Sequence, residues 1–208
     1  MKRLMLVAAL LALATSVHAN LLVNGGFEDG LNGWTTVTFF GGNWQPFGAT
    51  PYGHPVSPIE GSGMAGAISS WDTSRNEAYI YQQFNNPGGY TEVSFWGWAR
   101  AKLFDNPTSI YDVGVQLGFD PLGSNDSLDP NIIWADPVWA TQEWEKRTIV
   151  VPNAPAGTAT VFIKSIHKWG IEWNVGVADD VQVVPEPGSL MAMAAGLAGM
   201  AGMFLRKR

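Results

Sequence analysis

The 208-residue chain contains no cysteine. That excludes a disulfide framework, a thiol nucleophile and any cysteine-ligated metal site, whatever the compartment. Positive charge is scarce, with 12 basic against 18 acidic residues, and five of the 12 lie in the first three and last three positions. The stretch 20–184 keeps 7 basic and 17 acidic side chains, a net of −10. No basic patch is visible, so nucleic acid is excluded as a partner. Histidine occurs three times, without a His-Glu-x-x-His pattern, which argues against a zinc site. Between residues 20 and 184 no segment sustains a helical apolar period through a dozen residues, so long amphipathic helices are absent from the expectation. Methionine is also rare in the middle, because six of the seven lie in the terminal segments.

What is present divides into three materials. Lys2 and Arg3 precede an uncharged apolar run from Leu4 to Ala14, followed by Val17-His18-Ala19. A positive start, a short apolar stretch and small residues at −3 and −1 read as a secretory signal peptide over 1–19, cut between Ala19 and Asn20. At the other end, Pro185-Glu186-Pro187 is followed by the uncharged stretch Gly188 to Leu205 and then Arg206-Lys207-Arg208. As a helix, eighteen residues reach ~27 Å, enough for a thin hydrocarbon core, with the basic cluster cytoplasmic and the domain outside. Residues 185–208 therefore form a separate terminal unit with a transmembrane helix.

These three parts resemble the PEP-CTERM sorting signal. The resemblance implies processing by exosortase, a membrane cysteine protease, in a Gram-negative bacterium that makes exopolysaccharide. It further implies a transient membrane intermediate and a product released or attached at the cell surface. The helix departs from the family in being rich in Ala, Gly and Met rather than Leu.

The middle, 20–184, reads as one all-β domain. Short β-rich runs recur at Tyr79–Phe84, Thr91–Ala101, Ile110–Phe119, Trp144–Val151, Thr158–Ile166 and Gly176–Val184, between Gly, Pro, Asn and Asp clusters. The segment 153–157 is expected to close a hairpin between two of them. Many short strands at this spacing predict a single jelly-roll β-sandwich, flanked by the signal helix and the transmembrane helix. About 165 residues can bury a sizeable core without disulfides.

The domain opens Asn24-Gly25-Gly26-Phe27-Glu28 and closes Ala178-Asp179-Asp180-Val181. This pair resembles the first and last strands of the galactose-binding-like jelly rolls, which include several families of carbohydrate-binding modules. The resemblance implies a structural calcium ion, with Glu28 and Asp180 as side-chain ligands and Asn24 and Asp179 beside them. Calcium takes oxygen ligands of this type. The alternative is that these carboxylates cap strand ends and receive backbone hydrogen bonds.

A glycan site needs flat aromatic faces for the C–H side of a sugar ring and polar groups for its hydroxyls. Trp96, Trp98 and Arg100 alternate on one face of the Thr91–Ala101 run, and Asp112, Gln116 and Asp120 are expected to line the same sheet. A one-residue slip would instead turn the Trp pair into the core. A second aromatic group, Trp44, Trp134, Trp139, Trp169 and Trp173, is assigned to loops. His54 and His167 read as loop or strand-end residues. Glu60, Glu143 and Glu172 lack the paired spacing of glycosidase carboxylates, and no nucleophile elbow is present. The expectation is a non-catalytic surface protein that binds or organises extracellular polysaccharide, as in a biofilm. A matrix-structural protein without a glycan ligand is the first alternative, and a small polysaccharide-modifying enzyme the second.

Overall fold

The structure is a computed structural model, and it describes residues 20–39, 43–68, 76–101, 110–168 and 174–185. The expected signal peptide, Glu186, Pro187 and the expected membrane segment, together with Trp169, Glu172 and Trp173, lie outside the described residues. Among those described, no helix is long and apolar enough to cross a membrane.

Among the described residues eleven strands follow one another: β1 (Thr35–Phe39), β2 (Asn43–Phe47), β3 (Met64–Ile68), β4 (Asn76–Asn86), β5 (Gly89–Arg100), β6 (Val113–Asp120), β7 (Ile133–Trp134), β8 (Val138–Trp139), β9 (Glu145–Ala154), β10 (Gly157–His167) and β11 (Val175–Pro185). They form two antiparallel sheets. One runs β1-β4-β10-β6-β7, with β8 also pairing β6, and the other runs β2-β3-β11-β5-β9. The molecule is thus an all-β jelly-roll sandwich.

The period of two decides which side chains meet between the sheets. β6 sends Val115, Leu117 and Phe119 inward, β10 sends Ala159, Val161 and Ile163, and β5 supplies Val93 and Phe95, all fully buried in one cluster. Each such aliphatic or aromatic side chain contributes about 1.5–3 kcal/mol on burial, which lets a cysteine-free domain of this size hold together.

The connection at 153–157 is not a hairpin. β9 pairs with β5 in the five-stranded sheet, whereas β10 pairs with β4 and β6 in the other. The turn therefore arches over the end of the sandwich, as does Pro87-Gly88 between β4 and β5. Side-chain hydrogen bonds tie the two arches: buried Asn86 donates to the Pro155 carbonyl at 3.1 Å and accepts from the Thr91 hydroxyl at 3.2 Å. A turn-rich pentapeptide specifies a reversal, but not whether the chain returns to the same sheet.

The opening segment fills the space beside the second half of β11. Leu21 N–H donates to Val183 C=O and Val181 N–H to Gly25 C=O. The Asn20 carboxamide brackets the same strand, donating to Val181 C=O at 2.8 Å and accepting from Val183 N–H at 2.9 Å. Buried Gln82 of β4 then holds both the N–H and the C=O of Val23, joining this segment to the opposite sheet.

Candidate functional site: an aromatic groove on the six-stranded sheet

β6 reads Val-Gly-Val-Gln-Leu-Gly-Phe-Asp, so its outward positions are Gly114, Gln116, Gly118 and Asp120. The two glycines leave floor space for large rings. β7 and β8 fold back antiparallel onto β6, setting Trp134 opposite Gly118 and Trp139 opposite Gly114. A Cβ at Gly118 would stand 2.6 Å from the Trp134 ring, and one at Gly114 2.9 Å from that of Trp139. Both are closer than carbon atoms tolerate.

Around Trp134 the outer face of the sheet is aromatic. Its ring lies 6.3 Å from Tyr79 of β4 and 6.3 Å from Phe162 of β10, and Tyr81 lies 5.7 Å from Phe162. The Lys164 ammonium sits 4.5 Å from the Trp134 centroid, a cation–π geometry. A groove of about 360 Å³ opens here, walled by Tyr79, Trp134 and Lys164 on the sheet and by Ser127, Leu128, Asp129, Pro130 and Ile132 on the loop between β6 and β7. That volume is at the small end of ligand sites. Asp129 accepts hydrogen bonds from the Asn131 N–H and carboxamide. The first of these, with the Ser124 hydroxyl and the Asn131 amide, holds its carboxyl below the usual range, so it stays ionised. Further along the same face, Trp139 meets Tyr111 edge-on at 5.8 Å and Lys168 at 5.4 Å.

The platform expected around Trp96 and Trp98 is differently built. The alternation on β5 holds, with Trp96, Trp98 and Arg100 on the outer face, but Trp98 is covered. It packs with Val56, Met64, Val175 and Val177 beneath the 50–57 segment, His54 lies edge-on at 6.2 Å, and only 3% of Trp98 is exposed. Trp144 pins that cover by donating its indole N–H to Ser57 C=O. Trp96 and Arg100 are half-buried.

Asp112, Gln116 and Asp120 do not share this sheet, because β6 belongs to the opposite one. Gln116 donates to Ala135 C=O and Asp112 lies 3.9 Å from Lys168. Asp120 is buried and accepts from the N–H groups of Leu122 and Ser124. Trp44, Trp134 and Trp139 belong to strands, not loops, and Trp44 is core, its indole N–H on Ala78 C=O.

The residues expected to hold calcium serve as caps. Glu28 accepts from the Ser62 N–H and hydroxyl and from Gly63 N–H, which holds its carboxyl below the usual range, the Ser62 hydroxyl contributing most. Buried Asp179 accepts from the N–H groups of Ile59, Glu60 and Asp180, while burial pushes its carboxyl up to about 6. Asp180, in the left-handed region at φ 47°, accepts from Gln182. Asn24 closes its own turn, accepting from Asp29 N–H and donating to the carbonyls of Gly30 and Asn32. Among the described residues no three His, Asp or Glu side chains gather around a point. The oxygens of Glu28, Asp179 and Asp180 accept from N–H and hydroxyl donors, which is the capping arrangement that stands as the alternative to calcium. His54 and His167 are both buried; His167 ends β10, and burial pushes its imidazole down to about 3.

The groove could have been read from β6, whose outward glycines sit four residues apart, and from two tryptophans five apart downstream. Pairing a small floor with a large ring across adjacent strands requires knowing that β7 and β8 return to β6.

A PEP-CTERM protein-sorting motif model matches residues 183–208. No curated protein matches the chain. Among solved structures, the module TmCBM61 in complex with β-1,4-galactotriose superposes with a TM-score of 0.57 at 18% identity, covering 81% of this chain and 99% of that one. The K3 cleaved adhesin domain of Lys-gingipain from Porphyromonas gingivalis gives 0.53 at 19% identity, covering 80% and 99%. The enzymatically active domain of bacteriophage CBA120 tailspike protein 4 gives 0.55 at 13%, covering 80% of this chain and 21% of that one. At these identities the likeness is one of fold. The chain therefore carries a PEP-CTERM sorting motif, which implies a secreted protein processed by exosortase at the cell surface, behind a jelly-roll domain that shares its fold with TmCBM61.

Proposed function

We propose that the domain is a non-catalytic glycan-binding module, displayed outside the cell after exosortase processing, and that it grips polysaccharide in the groove beside Trp134. The groove itself carries this reading. It sets the half-buried Trp134 indole beside an ammonium and an ionised carboxylate, with Tyr79 and Ser127 buried behind them, so that a sugar's C–H face and hydroxyl edges both find partners. Asp129 is the one carboxylate among the lining residues, and its oxygens already accept from Asn131. Glycoside hydrolysis needs two carboxyl groups about 5–10 Å apart, one of them protonated, so the groove supports binding rather than cleavage.

Affinity electrophoresis tests the reading. The mature chain, run through gels containing soluble polysaccharides with β-1,4-galactan among them, is expected to be retarded by at least one. Trp134→Ala is expected to run free. Free migration of the parent in every gel would contradict the proposal, and shortening of any polymer would return the enzymatic alternative.

A further inference from the structure

The register of β11 places both ends of the domain at one pole of the sandwich. Pro185, the first residue of the sorting motif, is still in the strand, paired with Thr91 of β5. Only Glu186 and Pro187 separate it from the uncharged stretch that begins at Gly188. Asn20, the first residue after the signal peptide, is bonded to Val181 and Val183 of the same strand end. The leader and the membrane segment thus leave the domain side by side.

The other elements at this pole are the two arches, Pro87-Gly88 and 153–157, and the turn after β6, whose Gly123 carbonyl accepts from Gln83. Their sequences share one property. Segments 20–27, 78–91, 121–125, 148–163 and 181–185 contain no Asp, Glu, Lys or Arg, in a domain of net charge −10. The carboxylates that border these segments include Glu92, paired with Val184, Asp120, which is buried beneath its own turn, and the exposed Asp126 that follows the 121–125 turn. Glu186 is the one charge in the two-residue connection. Leu122 projects from this pole, 63% exposed.

We infer that this pole, whose turns carry no charge, is the surface the precursor lays against the lipid bilayer, so that the domain stands on the membrane with Ile68 of β3, Arg100 of β5 and Val175 of β11 at its far end. The inference rests on reading Gly188 to Leu205 as membrane-spanning. Two residues reach at most ~7 Å, so a membrane-spanning segment beginning at Gly188 holds the pole against the headgroups. Anionic headgroups repel carboxylates over about a Debye length, and turns that carry none keep that repulsion to a few side chains such as Glu186 and Glu92, less than the rest of a strongly acidic domain would meet. β5 runs from this pole to the far one, about 36 Å away, which sets the exposed Glu143 beside the end of β5 at the membrane-distal side.

Because the chain has no cysteine, one introduced thiol reports one position. Full-length Asn153→Cys and Glu143→Cys precursors, each carrying an environment-sensitive dye, would be reconstituted without exosortase into phosphatidylethanolamine–phosphatidylglycerol vesicles. Nitroxide-labelled headgroups serve as quencher. The expected result is co-flotation of both, with quenching at residue 153 several-fold greater than at 143. Co-flotation with equal quenching, or more at 143, overturns the orientation while leaving the span intact. Failure to co-float overturns the span reading and the inference with it. Quenching at 153 that appears only when exosortase is added assigns the pole to the protease and overturns the membrane contact.

Discussion

At Gly118 a single methyl group decides where Trp134 can lie, because the indole occupies the volume that a Cβ would take. Gly118→Ala is therefore expected to lift the ring from the floor of the groove and weaken glycan binding about tenfold or more, with a stability loss of about 1–3 kcal/mol from overpacking. Calorimetric titration beside a thermal melt separates the two effects. His167 gives a different signature. It is fully buried, neither ring nitrogen has a hydrogen-bond partner, and its imidazole is pushed down to about 3 from 6.5. Between those values the unfolded chain binds a proton that the folded chain refuses, so stability falls as pH drops from 6.5 toward 3. Asp179, raised to about 6 from 3.8, acts in the opposite direction between those two values. Between 3.8 and 6 the two groups largely offset one another, so the His167 signature lies in the difference between the parent and a His167 variant. Urea midpoints measured from pH 7 to pH 4 should fall more in the parent than in His167→Leu. A slope unchanged by that substitution would place the acid sensitivity elsewhere.

The arches and the opening segment show why an element can be legible while its partner is not. Strand runs such as those on β5, β6 and β10 announce themselves through a period of two and through bounding glycines and prolines. Their alternation was correctly readable, down to which side of β5 carries Trp96 and Trp98. The sequence does not encode what lies above an outer face, and Trp98 is buried because the distant segment 50–57 crosses it. Nor does a turn record which sheet the chain enters next, which is why the expected hairpin at 153–157 is an arch and why Asp112 and Gln116 stand on the sheet opposite Trp96. The opening and closing motifs were legible as partners, and they do meet through Gly25 and Val181. Glu28 and Asp179 both grip the 59–63 segment, accepting from the N–H groups of Ser62 and Gly63 and of Ile59 and Glu60. Two outcomes belong to this scale. Asn86→Ala should lower stability by about 2–3 kcal/mol, since it strips partners from the Pro155 carbonyl and the buried Thr91 hydroxyl. Excess chelator should leave the thermal midpoint of the mature chain where calcium leaves it, and a midpoint several degrees lower in chelator would show that the caps yield to an ion.

Across the whole molecule, charge and aromatic surface are distributed unevenly. Trp134, Trp139, Lys164 and Lys168 share the outer face of the six-stranded sheet, while the five-stranded sheet covers its outer tryptophan with a segment of its own. One face carries the groove of the proposed site, and Asn20 and Pro185 lie at one end, whose turns carry no charge. A module built this way can stay tethered through its end and bind along its side, so membrane attachment and glycan capture need not compete. The most direct measurement of this account is calorimetric titration of the mature chain with oligosaccharides of whichever polysaccharide retards it, comparing the parent with Trp134→Ala and Trp96→Ala. The groove reading predicts at least a tenfold loss of affinity for Trp134→Ala, measured at a temperature where its melting profile shows the variant still folded, and parent-like binding for Trp96→Ala. Full affinity in Trp134→Ala, with the loss falling on Trp96→Ala, would move the site to the opposite sheet and contradict it.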